Sequence, residues 1–114
     1  MNLKRHRRTW LLAAVAALCV SASVPSYVAA ADDPNNILVK DFMFGPMKLT
    51  VKAGSKVTWT NMDDEPHTVA SDEGLFRSPA LDTNESFSYK FDKPGTYHYT
   101  CTIHPRMIGT ITVE

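Results

Sequence analysis

"GTYHYTCTIHPRMIGTITVE", residues 95–114, reads as a strand, a tight loop and a second strand. From Gly95 to Cys101 the side chains alternate, so Tyr97, Tyr99 and Cys101 share one face while His98 and Thr100 take the other. The tyrosines favour burial, which turns Cys101 inward at the end of its strand and leaves His98 a solvated surface histidine. Gly109 opens a second run of β-branched alternation. Between the two strands His104 and Met107 follow Cys101 at even steps of three. A thiol, an imidazole and a thioether thus stand within one short loop.

The same two-residue period runs upstream. "ILVKDFMF" (37–44), "KLTVKA" (48–53), "KVTWTN" (56–61), "HTVAS" (67–71) and "SFSYKF" (86–91) each alternate or cluster β-branched and aromatic residues. Gly45-Pro46, Ala53-Gly54-Ser55 and Lys93-Pro94-Gly95 punctuate them as turns, and residues 72–85 read as a loop. No window sustains a helical period and nothing repeats. About seven to eight short strands at turn-separated intervals predict an all-β antiparallel sandwich or barrel, with Trp59 and the tyrosines filling its interior.

The chain has 114 residues, room for one domain, and that domain is expected over 37–114 behind a short polar lead at 31–36. Residues 1–30 read as a secretory signal peptide. Lys4, Arg5, Arg7 and Arg8 form a basic head, an apolar run follows, and small residues allow cleavage after Ala30 or Ala31. "RRTWLL" also resembles a twin-arginine export signal, the route for proteins folded around a cofactor. Cys19 is then a discarded apolar residue, and no stable membrane anchor is expected. Cleavage leaves eight basic against twelve acidic side chains, a net charge of −4. An acidic surface argues against nucleic acid and anionic membranes as partners. A periplasmic location follows from export, and there a single cysteine has no partner for an internal disulfide. An idle thiol in an oxidising compartment is a liability unless something occupies it.

Thiolate, imidazole and thioether are donors that suit copper. Alone, Cys101 is more often a small buried hydrophobe, His104 a loop histidine and Met107 core filler. At a few per cent of composition each, histidine and methionine land at both offsets by chance only about once in several thousand cysteines. His67 supplies the missing second imidazole, just past the turn "NMDDEP". Two histidines and a cysteine in a plane with a weak axial methionine is the blue-copper donor set. Asp63, Asp64 and Glu65 read as a solvated acidic turn, and Met43, Met47 and Met62 as packing.

"GTYHYT" running into "CTIHPRM", with "VTWTNMDDEPHTV" upstream, resembles the cupredoxins, the small blue copper proteins, over Ile37–Glu114. Two residues between Cys and His and two between His and Met is the shortest form of their ligand loop, the amicyanin spacing. The resemblance implies a Greek-key sandwich holding one copper ion through His67, Cys101, His104 and Met107. It implies a one-electron carrier and not an enzyme, since four protein donors leave no position open for substrate. It also implies transient docking near His104, with Pro66, Pro105 and Ile103 in an apolar patch. Amicyanin-like partners would be an amine dehydrogenase and a c-type cytochrome, met by a monomer. Two departures bear on the site. Relatives usually place Asn where Thr68 stands, so its shorter hydroxyl is expected to tie the ligand loops less well, though its N–H should still reach the Cys101 sulfur. Amicyanins often carry proline at the place of Ile103, whose N–H is here expected to give the sulfur a second hydrogen bond. The rival function is a copper chaperone or storage protein, using the same donors in an open, exchangeable site. A copper oxidase or nitrite reductase would need more histidines than the chain has.

Overall fold

The computed structural model describes residues 34–114, together with positions 14, 16, 17, 21 and 23. Most of the expected signal peptide and half of the polar lead lie outside the described residues. Eight strands follow one another: β1 (Asn36–Lys40), β2 (Met43–Gly45), β3 (Lys48–Val51), β4 (Ser55–Asn61), β5 (Ala70–Ser71), β6 (Ser86–Phe91), β7 (Gly95–Thr100) and β8 (Ile108–Val113). They form two four-stranded sheets, ordered β2-β1-β4-β6 and β3-β8-β7-β5.

Both sheets are mixed. β1 runs parallel to β4, and β3 parallel to β8, while the remaining pairings are antiparallel. Alternation along a strand says which residues face inward but nothing about the direction of its neighbour, so the two parallel pairings are absent from the sequence pattern. The stretch 37–44 is two strands rather than one. Asp41 and Phe42 both adopt left-handed backbone, with φ of 53° and 57°, and fold Met43–Gly45 back against β1. Similarly "HTVAS" pairs as a strand only at Ala70 and Ser71, with a lone bridge between His67 and Leu81 ahead of it.

The inward residues meet in one core. Ile37 and Val39 of β1, Val57 and Trp59 of β4 and Phe91 of β6 face Val51, Tyr99, Ile111 and Val113 of the opposite sheet, all buried. Trp59 is fully buried, its ring edge-on to Tyr99 at 5.3 Å between centroids, with Phe76 at 5.7 Å. Burying each such side chain stabilises the fold by roughly 1.5–3 kcal/mol. The strands' parity therefore delivers Tyr99 into the core and Cys101 to its rim, where three loops converge: the β1–β2 turn, the segment between β4 and β5, and the β7–β8 loop.

Candidate metal centre

β4 ends inward on Asn61, a polar side chain with no exposure. Its amide is fully employed. Nδ2 donates to the carbonyls of Glu65 and Leu81, each at 2.8 Å, and Oδ1 accepts the Asp63 N–H at 2.9 Å. These bonds curl residues 61–65 into a compact loop that delivers His67 inward, also fully buried. The strap 76–81 holds residues 67–69 in place. His67 and Leu81 exchange two backbone bonds, 3.1 and 2.7 Å, while the Val69 N–H donates to Ser78 Oγ at 2.8 Å. The stretch read as a loop is thus the brace that fixes the first histidine.

On the other side, the Cys101 N–H donates to the Met107 carbonyl (3.0 Å) and the Met107 N–H to the His104 carbonyl (2.9 Å). The two bonds close the seven residues into a ring, with Cys101 and Met107 buried and His104 partly exposed. Even spacing in sequence becomes convergence in space. Nδ1 of His67 lies 3.9 Å and Nδ1 of His104 lies 3.8 Å from Cys101 Sγ. One donor atom from each of the three residues lies within 4.8 Å of the other two. Nitrogen and thiolate ligands at about 2.0 and 2.3 Å from a shared trigonal centre stand roughly 3.8 Å apart, so these donors fit one ion between them. The donors are soft nitrogen and sulfur, the class copper prefers. His98 lies outside the group, exposed and bonded to Thr110 Oγ1 at 3.1 Å.

The surroundings prepare each donor. Asp63 Oδ2 accepts a hydrogen bond from His67 Nε2 at 2.8 Å. A carboxylate only accepts, so the ring proton sits on Nε2 and the Nδ1 lone pair is left for a metal. The other carboxylate oxygen takes the Asp41 N–H at 2.7 Å, and Oδ2 also takes the Phe42 N–H at 3.0 Å. Burial by itself would raise the Asp63 carboxyl; the Phe42 and Asp41 amides and His67 more than offset it and hold it below its ordinary 3.8. The acidic turn is therefore more than solvated. Asp63 is a site residue, and so is Phe42, whose ring stands edge-on to both histidines at 5.2 and 5.0 Å.

Thr68 reaches further than its short side chain suggested. Its N–H donates to Cys101 Sγ at 3.4 Å, and its Oγ1 accepts the Thr102 N–H at 2.8 Å, which ties the two ligand loops together. The second amide acting on the sulfur is that of His104 and not of Ile103, whose side chain is half exposed. Burial alone would raise the Cys101 thiol, but the Thr68 N–H, the largest of the opposing contacts, together with the His104 ring and amide brings it from 9.0 down to about 6. In the metal-free protein, ultraviolet thiolate absorbance should accordingly appear with a midpoint near pH 6. Because the folded value is depressed, the thiolate adds stability that is fully present above pH 9 and is lost as pH falls through 6. A thiolate midpoint near 9 would show that these donors do not reach the sulfur.

The family model of the cupredoxin-like domain matches residues 9–113. The chain is a cupredoxin. Among its relatives is amicyanin-alpha of Methylorubrum extorquens, 40% identical over 83 residues, covering 68% of this chain and 70% of that protein. The plastocyanin of Scenedesmus fuscus is 41% identical over 85 residues, covering 63% of this chain and 87% of the other. A Cu(I) structure of a methionine-to-alanine amicyanin variant superposes with a TM-score of 0.66 at 31% identity, over 69% of this cupredoxin and 80% of that chain. The Cys-x-x-His-x-x-Met loop and the upstream histidine therefore sit, in this cupredoxin, on the scaffold the resemblance implied.

Proposed function

We propose that the chain is a mononuclear blue copper protein that carries one electron at a time between redox partners in the periplasm. His67, Cys101, His104 and Met107 hold a single copper ion, which supplies the one-electron couple. The observation that carries this reading is the convergence of both Nδ1 atoms on a buried Cys101 sulfur, with each ligand loop already closed by its own hydrogen bonds. Donors fixed in this way need little rearrangement when charge at the site changes. Thr68 and His104 amides temper the sulfur's charge, Asp63 fixes the His67 proton, and Phe42 keeps water from the two rings. His104 is the one donor with an exposed edge, its side chain 28% accessible, so it is the path by which electrons leave. A chaperone or storage role calls for donors that exchange readily; a fully buried Cys101 and His67 disfavour it.

Export by the leader at 1–30, monomeric behaviour and brief docking to a c-type cytochrome or an amine dehydrogenase complete the proposal. Small interfaces suit such encounters. Titrating the purified protein with Cu(II) should give an intense visible absorption that saturates at one ion per chain and bleaches and returns on reduction and reoxidation. Binding without intense colour, or with ready loss to a mild chelator, would favour the ion-carrier alternative.

A further inference from the structure

Met43, Met47 and Met62, expected from the sequence to pack, instead leave 56%, 48% and 44% of their surfaces to solvent, whereas Met107 leaves only 4%. Methionine is among the residues most often buried, so three exposed thioethers in a domain this small ask for a reason. All three stand at the end of the sandwich that holds the copper ligands. Met43 follows Phe42, whose ring lies edge-on to both ligand histidines. Met62 separates Asn61 from Asp63, the acceptor of the His67 proton. The Met47 carbonyl takes the Thr110 N–H at 2.9 Å, near the start of β8 and just past the ligand loop. A second copper ion is a poor occupant for these sulfurs. Met43 pairs with Lys40 on one side, and the Met62 N–H donates to the Val39 carbonyl at 2.8 Å on the other. The exposed Lys40 therefore stands between two of the thioethers, and its ammonium repels a cation.

We propose that Met43, Met47 and Met62 are sacrificial sites of sulfoxide formation, which intercept oxidants of the hypochlorous acid class before these reach Met107 and Cys101. The proposal rests on the electron-carrier reading for what is shielded and adds a modification to it. In the step itself the thioether sulfur gains one oxygen atom and gives up two electrons. The O–Cl bond of the oxidant breaks, and chlorine leaves as chloride together with the proton. Oxidation needs access to the sulfur lone pairs, which the three outer side chains offer and Met107 withholds. The two outcomes differ in consequence. A sulfoxide at Met107 would replace a soft donor by a polar group at the rim of the core, and oxidation of Cys101 beyond sulfenic acid would be irreversible. A sulfoxide at an exposed position leaves the core untouched, and sulfoxide reductases return it to thioether.

Stepwise addition of hypochlorous acid to the metal-free and the copper-loaded protein tests this, with peptide mass spectrometry locating each added oxygen. In both forms Met43, Met47 and Met62 should carry sulfoxide before Met107 does, and the visible absorption should hold until about three equivalents are consumed. The triple variant Met43→Leu, Met47→Leu, Met62→Leu makes swaps of similar volume at exposed sites. It should lose colour about fivefold more steeply over the first equivalents, with thermal unfolding showing that it is folded. If it fails to fold, the order of sulfoxide formation in the unmutated protein decides. Oxygen at Met107 first, or at all four methionines together, overturns the shield and leaves the electron carrier intact. So does a folded triple variant that loses colour no faster than the unmutated protein. Should copper give no intense colour, the carrier reading falls, and the order of sulfoxide formation in the metal-free protein alone decides the shield.

Discussion

Gly109→Ala is expected to destabilise the domain by about 3 kcal/mol, at the upper end of the usual cost of overpacking. Gly109 pairs with Tyr99 across β7 and β8, and the tyrosine ring lies over the glycine. A Cβ at this position would overlap the ring's Cζ and hydroxyl and stand 2.7 Å from Cε1. The ring has nowhere to go. Tyr99 is fully buried, with Trp59 at 5.3 Å and Phe44 at 4.8 Å between centroids. In a domain of this size the loss should lower Tm by roughly 10–25 °C. Denaturant unfolding of Gly109→Ala alone and in a Tyr99→Leu background checks the cause. With the ring gone, alanine should cost less than about 1 kcal/mol, so the two changes should be strongly non-additive. Additive losses would mean that the glycine serves the backbone and not the ring. Gly109 also lies two residues beyond Met107, so a shifted β8 would carry the ligand loop with it and weaken copper binding in step with stability.

What the sequence disclosed, and what it withheld, divides along one physical line. Facing is local: Val57, Trp59 and Asn61, or Tyr97, Tyr99 and Cys101, declare their inward side by alternation alone, and the structure buries all but Tyr97. The ligand loop is local too, since three donors at even spacing need only one tight turn to converge. Pairing direction is not local, which is why the parallel β1–β4 and β3–β8 ladders had no signal. The break at Asp41–Phe42 is still less visible, because the carboxylate that stabilises it lies 22 and 21 residues away. Asn61 carried a legible clue to the first ligand loop. A polar residue at an inward position must find partners or incur the cost of an orphaned amide, so parity alone marks it as the organiser of the loop after it.

Asp63→Ala is expected to lower copper affinity 10- to 100-fold, the range seen when the group behind a ligating histidine is lost. Three consequences of one carboxylate combine there. First, His67 loses the acceptor that keeps its proton on Nε2, so the ring spends part of its time with Nδ1 protonated and closed to metal. Second, the Asp41 and Phe42 amides lose their acceptor, and each such bond to a charged group contributes about 1.5–3 kcal/mol. Third, two non-glycine residues in left-handed backbone, a conformation costing about 1–2 kcal/mol each, then have nothing to hold them, and Phe42 swings off both histidines. Stability of the metal-free protein should therefore fall as well, by about 2–4 kcal/mol after relaxation and solvation of the freed amides. The Asp63 carboxyl is held below its ordinary value, so its contribution is complete above about pH 4 and is lost only as pH falls through the lowered value. Asp63→Asn separates the parts: its amide oxygen still accepts, while its NH2 confronts the donors that the second carboxylate oxygen served, so affinity should land between the unmutated protein and alanine. Chelator competition for copper and thermal unfolding without metal are the two measurements. If alanine leaves both unchanged, the loop bonds around Asn61 and the Leu81 bridge hold His67 unaided, and the acidic turn reverts to a solvated one.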